Sequence, residues 1–220
     1  MPGLIQKYQD RANIVKLKKA YSVLSNATAF VKTSGIDPCN QPTPPEKSLC
    51  NGGFDSSMEY KDELVKILAP IKTGGCDYGN LSGYQVWHGI SSGCVGGGNT
   101  IYTDLSGKMV SARNIDRRIL LLKDGTVVYF GGLDMPGLTL TVDVNGIAGP
   151  NILSKDLFVF SLTNKGLKPY GSPGTENPYF TGYAGFSCDE YSGIVDGGTG
   201  RVGTIFFAKG AGCTAKYLLE

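Results

Sequence analysis

Apolar residues recur every three or four positions along the first part of the chain. Between residues 4 and 34 they are Leu4, Tyr8, Ile14, Leu17, Tyr21, Leu24 and Val31. Successive members of this set are mostly three or four positions apart, which is typical of an α-helix. Gly35 follows directly, and glycine favours the left-handed conformation that often ends a helix. The pattern therefore predicts one long N-terminal helix over residues 4–34.

The segment over residues 35–83 begins with several prolines, which exclude a regular helix in its first part. Ser56 with Glu59 three residues later is typical of a helix start, because each side chain can bond the backbone amide at the other position. We expect this second helix to end near Leu68, before Pro70. The segment is therefore predicted to be a loop followed by one shorter helix.

From about residue 84 the apolar period shortens to two, which indicates β-strands. The candidate strands lie over residues 84–89, 100–103, 108–112, 117–123, 126–131, 138–144, 156–162 and 203–208. Asp124-Gly125 separates two apolar runs, which is a strong signal for a β-hairpin.

Helices followed by a series of strands indicate the α+β class. We therefore predict a single domain over residues 1–220, in which the N-terminal helix packs on an antiparallel sheet at 84–171. A glycine-rich region bounded by disulfides is expected at 172–220, since 32 of the 220 residues are glycine.

The charge balance and the cysteines narrow the class of protein. The net charge is only +2, from 21 basic and 19 acidic residues, so we expect no nucleic-acid partner. Six cysteines occur at wide spacing, without a Cys-x-x-Cys pair: Cys39, Cys50, Cys76, Cys94, Cys188 and Cys213. An even number at such spacing predicts disulfides, and hence a location at the cell surface or in the periplasm.

An exported protein needs an export signal, and the N-terminus of this sequence has no apolar stretch of that kind. We therefore expect an export or anchor segment to precede Met1 in the natural protein. Six free thiols in a cytoplasmic protein are the alternative interpretation.

Catalytic chemistry has little support in the sequence. His88 is the only histidine, and cysteines that are paired in disulfides would leave no thiol nucleophile beside it. The run Gly198–Gly203 matches a dinucleotide-binding glycine pattern, but a strand-like segment follows where a helix is required. We therefore expect this protein not to be an enzyme.

One loop has the composition of a calcium site. Calcium prefers six to eight oxygen ligands from a flexible loop. The candidate ligands are the side chains of Asp143, Asn145, Asn151 and Asp156, with the carbonyl of Ile147. A purely structural turn is the alternative, because Asn-Gly and Gly-Pro form turns whether or not an ion binds. No other cofactor is indicated.

Three segments resemble the type IV pilin and type II secretion pseudopilin family. Residues 16–28, KLKKAYSVLSNAT, resemble the exposed half of the pilin helix. Residues 142–160 contain the order Asp-x-Asn-Gly, Gly-Pro-Asn and Asp-x-Phe, which is common in bacterial proteins with a prepilin-type N-terminus, and residues 165–171 continue it. Cys188 and the region around Cys213 resemble the cysteine-bearing C-terminal region of such proteins.

The resemblance implies a pilin-like fold and a non-catalytic structural subunit that acts by polymerisation and surface contacts. Its partners would be identical or different subunits of an extracellular or periplasmic filament. The family's hydrophobic N-terminal half-helix, which anchors the full-length protein in the inner membrane before assembly, is not in this sequence. Sequence order suggests the disulfides Cys39–Cys50, Cys76–Cys94 and Cys188–Cys213, although six cysteines allow fifteen pairings.

A secreted binding module, such as a calcium-dependent carbohydrate-binding adhesin, is the rival hypothesis. Its binding platform would use aromatic residues from the middle and the end of the chain. These are Tyr78, Tyr84, Trp87, Tyr179, Phe180 and Tyr183.

Overall fold

The structure is a computed structural model. It describes residues 2–36, 54–74, 103–108, 118–130, 139–146, 149–163, 165–173, 175, 188, 210 and 212–219. The helices are α1 (Pro2–Thr33), α2 (Phe54–Leu68) and α3 (Cys213–Leu219). The strands are β1 (Lys72–Gly74), β2 (Arg118–Leu121), β3 (Val127–Phe130), β4 (Thr139–Asp143), β5 (Leu157–Thr163) and β6 (Gly166–Pro169).

The six strands form one sheet in which each strand pairs antiparallel with the next strand along the chain. This confirms the prediction of an α+β chain with an N-terminal helix and an antiparallel sheet. The Asp124-Gly125 hairpin is also confirmed, since it joins β2 to β3 with Gly125 at a φ of +86°. Glycine adopts this left-handed conformation without the steric penalty that other residues meet.

One face of the sheet is continuously apolar. The register places Val128 opposite Val142 and Val142 opposite Phe158, while Leu140 lies opposite Phe160. All these side chains are fully buried or nearly so, and they form one cluster with apolar residues of α1 and α2. Because alternate residues of a strand point to the same face, this register aligns the apolar positions of neighbouring strands.

Helix α1 supplies the largest helical part of that cluster. Its buried apolar residues follow the spacing three, four, three, four and are Leu17, Ala20, Leu24, Ala27 and Val31. The Tyr21 ring stacks on Phe160 of β5, with the ring centroids 5.6 Å apart. The C-terminal half of the predicted long helix therefore packs on the sheet, as expected.

Several short elements differ from the sequence prediction. The sheet begins at β1, before residue 84, and α2 begins at Phe54, so that Ser56 lies inside the helix. Neither β6 nor α3 was predicted, because four and seven residues are too few for a periodic pattern. Thr103 forms only an isolated bridge with Ile152. The predicted strands at 84–89 and 203–208 lie outside the described residues.

Within the described ranges, none of the helices has both the length and the apolar character that crossing a lipid bilayer requires.

Leucine-to-alanine changes at two positions of α1 test which half of the helix is packed. Leu17 has no exposed surface, whereas Leu4 is 74% exposed. We expect Leu17→Ala to lower the free energy of unfolding by about 2–5 kcal/mol, since it leaves a cavity in the core. The matched control Leu4→Ala should change it by less than about 0.5 kcal/mol. Urea unfolding curves measure both, and equal effects would contradict the described packing.

Candidate functional site

The loop between β4 and β5, over residues 144–156, contains most of the predicted ligand residues. Asp143 and Asp156, at its two ends, have no exposed surface. The Asp156 carboxylate accepts hydrogen bonds from the backbone N–H groups of Asn151 (2.7 Å) and Ile152 (2.8 Å). The Asp143 carboxylate accepts one from the N–H of Asn145 at 3.1 Å. Both carboxylates therefore hold the backbone of the loop, as aspartates do in tight turns.

The same loop is joined to helix α1 by two polar contacts. The side-chain amide of Asn13, which is only 6% exposed, donates to the carbonyl of Lys155 at 3.0 Å. The Lys155 ammonium lies 2.8 Å from the Asp10 carboxylate. Because a buried amide needs its hydrogen-bond partner, the Asn13 contact fixes where α1 leaves the packed part of the protein.

Burial raises the pKa of Asp156 above its ordinary value. Hydrogen bonds from the backbone of Asn151 and Ile152 and from the Asn145 side chain act in the opposite direction, without cancelling the effect of burial. The loop therefore contains a desolvated carboxylate that is stabilised by dipoles, and none of the described cationic side chains lowers its pKa.

The structure brings Asp143, Asn145, Asn151 and Asp156 into this one loop, while Ile147 lies outside the described residues. Oδ1 of Asn151 is buried and accepts no hydrogen bond from the part of the chain that the structure describes. Such an oxygen is the type of ligand that calcium uses. The described residues include no group of three or more His, Cys, Asp or Glu side chains suited to a metal. Calcium binding therefore stays an alternative to the structural turn, and it would depend on amide and backbone oxygens.

The C-terminal segment closes against β5 and the residues that follow β6. A disulfide joins Cys188 to the buried Cys213 at the start of α3, which is the pairing expected from sequence order. The hydroxyl of Thr214 accepts a hydrogen bond from the N–H of Val159 at 3.0 Å. Gly171 packs so closely that a Cβ there would come within 2.4 Å of the Gly212 carbonyl oxygen. Tight contact and a covalent link thus hold α3 on the sheet.

The other predicted site residues are not described by the structure. Cys39, Cys50, Cys76 and Cys94 lie outside the described residues, so their pairing stays a prediction. The same holds for His88, for the Gly198–Gly203 run and for the aromatic residues of the proposed binding platform.

The N-terminal part of α1 has a large apolar surface that contacts none of the described core. Residues 3–9 are all exposed. Leu4, Tyr8 and Val15 are 74%, 77% and 68% exposed, and helical spacing puts them on one side of the helix. The helical pattern of these apolar residues was visible in the sequence, but their exposure was not.

An open groove of about 660 Å³ lies farther along the same helix. It is bounded by α1, the end of α2 and the β2–β3 hairpin. Val23, Phe30, Ile67 and Leu122 are among its apolar lining residues. Sequence reasoning missed this groove, because three segments that are distant in the sequence combine to form it.

Comparisons with family models, with curated proteins and with solved structures found no match to this chain.

The raised pKa of Asp156 predicts a pH dependence of stability. A carboxyl group with a raised pKa in the folded state favours folding below its ordinary pKa, and that contribution is lost as the pH rises through the raised value. We expect the free energy of unfolding of the wild type, relative to Asp156→Asn, to fall as the pH rises above about 4. Urea unfolding at a series of pH values measures this difference. A difference that grows with pH would contradict the assignment.

The calcium and turn interpretations of the β4–β5 loop predict different effects of a chelator on the melting temperature. Since loop amides already bond the carboxylates, we expect the chain to have the same melting temperature in EDTA and in calcium. Calcium at a hundred times its Kd would instead stabilise the fold by about 2.7 kcal/mol, or about 5–10 °C for a chain of this size.

Asn151→Gly provides the control for that experiment. Asn151 has a φ of +54°, and glycine adopts this conformation readily while removing the Oδ1 oxygen. A calcium-dependent rise in melting temperature that disappears in Asn151→Gly would contradict the turn interpretation and establish ligation.

Proposed function

We propose that this chain is a non-catalytic structural subunit of an extracellular or periplasmic filament, of the type IV pilus or type II secretion pseudopilus kind. It acts through polymerisation and through the contacts of its folded head. Its partners are other subunits, identical or different, and its location is the cell surface or the periplasm.

One observation carries this proposal: α1 is packed along only part of its length. The helix has 32 residues, which corresponds to about 48 Å. The first buried side chain among the described residues of α1 is Asn13, and the buried apolar stripe begins at Leu17. Residues 3–9 of α1 therefore extend beyond the described core, and the apolar side chains among them are exposed.

Exposed apolar residues in such a stripe are costly unless another surface covers them. A helix that extends from a compact head and needs a covering surface is suited to assembly with neighbouring subunits. The polar contacts of Asn13 and Lys155 support this, because they hold the emerging helix in a fixed direction relative to the sheet.

The disulfide between Cys188 and Cys213 supports a location outside the cytoplasm, where such bonds persist. The resemblance of residues 16–28 and 142–160 to pilin-type sequences supports the same function independently of this geometry.

Labelling of filaments on the source cells tests the proposal. Antibodies raised against the chain, visualised with gold in electron microscopy, should decorate filaments sheared from the cell surface or drawn from the periplasm. Cells that lack the gene should show no labelled filaments. Labelling of unassembled chains in the medium, with no filament carrying the label, would contradict the proposal.

A further inference from the structure

We propose that the N-terminal part of α1 lies along the surface of a bilayer rich in anionic phospholipid. The contact is made by the outer stripe, defined as Leu4, Tyr8 and Val15, together with the basic residues beside it. The helix rests on the bilayer and does not cross it. This inference goes beyond the proposed filament function and does not depend on it, since it concerns a single unassembled chain.

The outer stripe lies on the side of α1 that faces away from the packed core. Each residue of an α-helix is rotated by about 100° from the residue before it. On this scale Leu4, Tyr8 and Val15 lie within about 40° of one another. The buried residues Leu17 and Leu24 point about 180° away from them. The packed part of the chain is therefore on the opposite side of the helix, and it leaves the outer stripe free to meet a flat surface.

The side chains of the outer stripe are exposed enough to enter a lipid interface. They are 74%, 77% and 68% exposed, and Ile5 beside them is 61% exposed. An amphipathic helix at a bilayer surface buries such side chains about 5–10 Å into the boundary between headgroups and acyl chains. Tyr8 suits this depth, because its ring is apolar while its hydroxyl can stay hydrated.

Basic residues lie along both flanks of the outer stripe. Lys7, Arg11 and Lys18 lie within about 40° of one another on one flank, and Lys16 lies on the other. All four are exposed, and none of their side chains forms an ion pair with another described residue. Long basic side chains can lie along apolar surface while their charged groups reach outward. These four can therefore contact headgroup phosphates while the outer stripe is buried.

The acidic charge in this part of the helix is directed elsewhere. Asp10 is the only acidic residue among residues 2–19, and it lies about 140° around the helix from the outer stripe. Its carboxylate is 2.8 Å from the Lys155 ammonium of the β4–β5 loop. The outer side of the helix therefore has a positive excess, which complements the negative potential of an anionic bilayer.

The combination of apolar and basic residues identifies lipid as the occupant. A nucleic acid or an acidic polysaccharide would attract the lysines but would offer Leu4 and Tyr8 no apolar surface to enter. A second copy of the same helix side would offer apolar surface, but it would also bring like charges together, which opposes pairing. An anionic bilayer provides both the apolar layer and the negative charge.

Cosedimentation with phospholipid vesicles at low ionic strength tests the contact in the 220-residue chain. We expect at least about tenfold tighter binding to vesicles that contain phosphatidylglycerol than to vesicles of phosphatidylcholine alone. Added salt should weaken this binding, because it screens the attraction between exposed charges. Equal binding to the two kinds of vesicle, or no binding to either, would overturn the proposal.

Lys7→Gln with Arg11→Gln removes two of the charges beside the outer stripe. Binding to phosphatidylglycerol vesicles should weaken by about tenfold or more. The matched control is Lys165→Gln with Lys216→Gln, which removes the same charge at two exposed sites elsewhere in the chain and should bind like the wild type. Thermal melting of each variant checks that folding is intact. If the control weakens binding equally, net charge alone is responsible and the assignment to α1 is wrong.

Leu4→Ser with Tyr8→Ser keeps every charge and tests insertion of the outer stripe. It should weaken vesicle binding by about tenfold or more, while binding to heparin, a soluble polyanion, stays unchanged. Ile71→Ser with Leu219→Ser is the matched control, since these residues are 62% and 64% exposed on other parts of the chain, and it should bind vesicles like the wild type. If Leu4→Ser with Tyr8→Ser leaves vesicle binding unchanged, the helix attracts any polyanion and the lipid assignment fails.

Discussion

The apolar face of the sheet packs against the buried apolar residues of α1, and most of the described fold depends on this contact. The sheet alone would expose a continuous row of side chains that includes Val142, Phe158 and Phe160. A helix covers such a row only where its own apolar residues recur at helical spacing, and in α1 they do so from Leu17 to Val31. The length of the apolar match sets how much of α1 is held. The remainder of the helix stays exposed because nothing in the described core faces it.

The β4–β5 loop fixes the direction of α1 relative to the sheet. Packing of apolar surfaces is largely non-directional, so it restrains the angle of the helix less strictly than hydrogen bonds do. Asp156 orders the loop by accepting two amide hydrogen bonds, and Lys155 of the ordered loop then meets Asp10 and Asn13. The turn is thus connected to the function proposed for the helix, because a displaced loop would change where α1 emerges.

The amino-acid sequence by itself determined the elements that have strong local signals. The 3.6-residue period of residues 4–34 predicted α1, and Asp124-Gly125 predicted the β2–β3 hairpin, since both depend on neighbours in the chain. The sequence also identified the residues of the β4–β5 loop, because Asn-Gly and Gly-Pro impose turns locally. Sequence order suggested the Cys188–Cys213 pair, but six cysteines allow fifteen pairings, and the structure selected this one.

Only the tertiary structure decided which of these features meet. β1, β6 and α3 are too short for a periodic signal, and long-range backbone pairing and packing define them. Tyr8 and Tyr21 lie about 140° apart around α1, and only Tyr21 is on the side that faces the sheet, where it stacks on Phe160 while Tyr8 is exposed. The groove beside α1 arises from residues of three distant segments. Local propensity cannot specify such a surface, since it exists only once the core has brought those segments together.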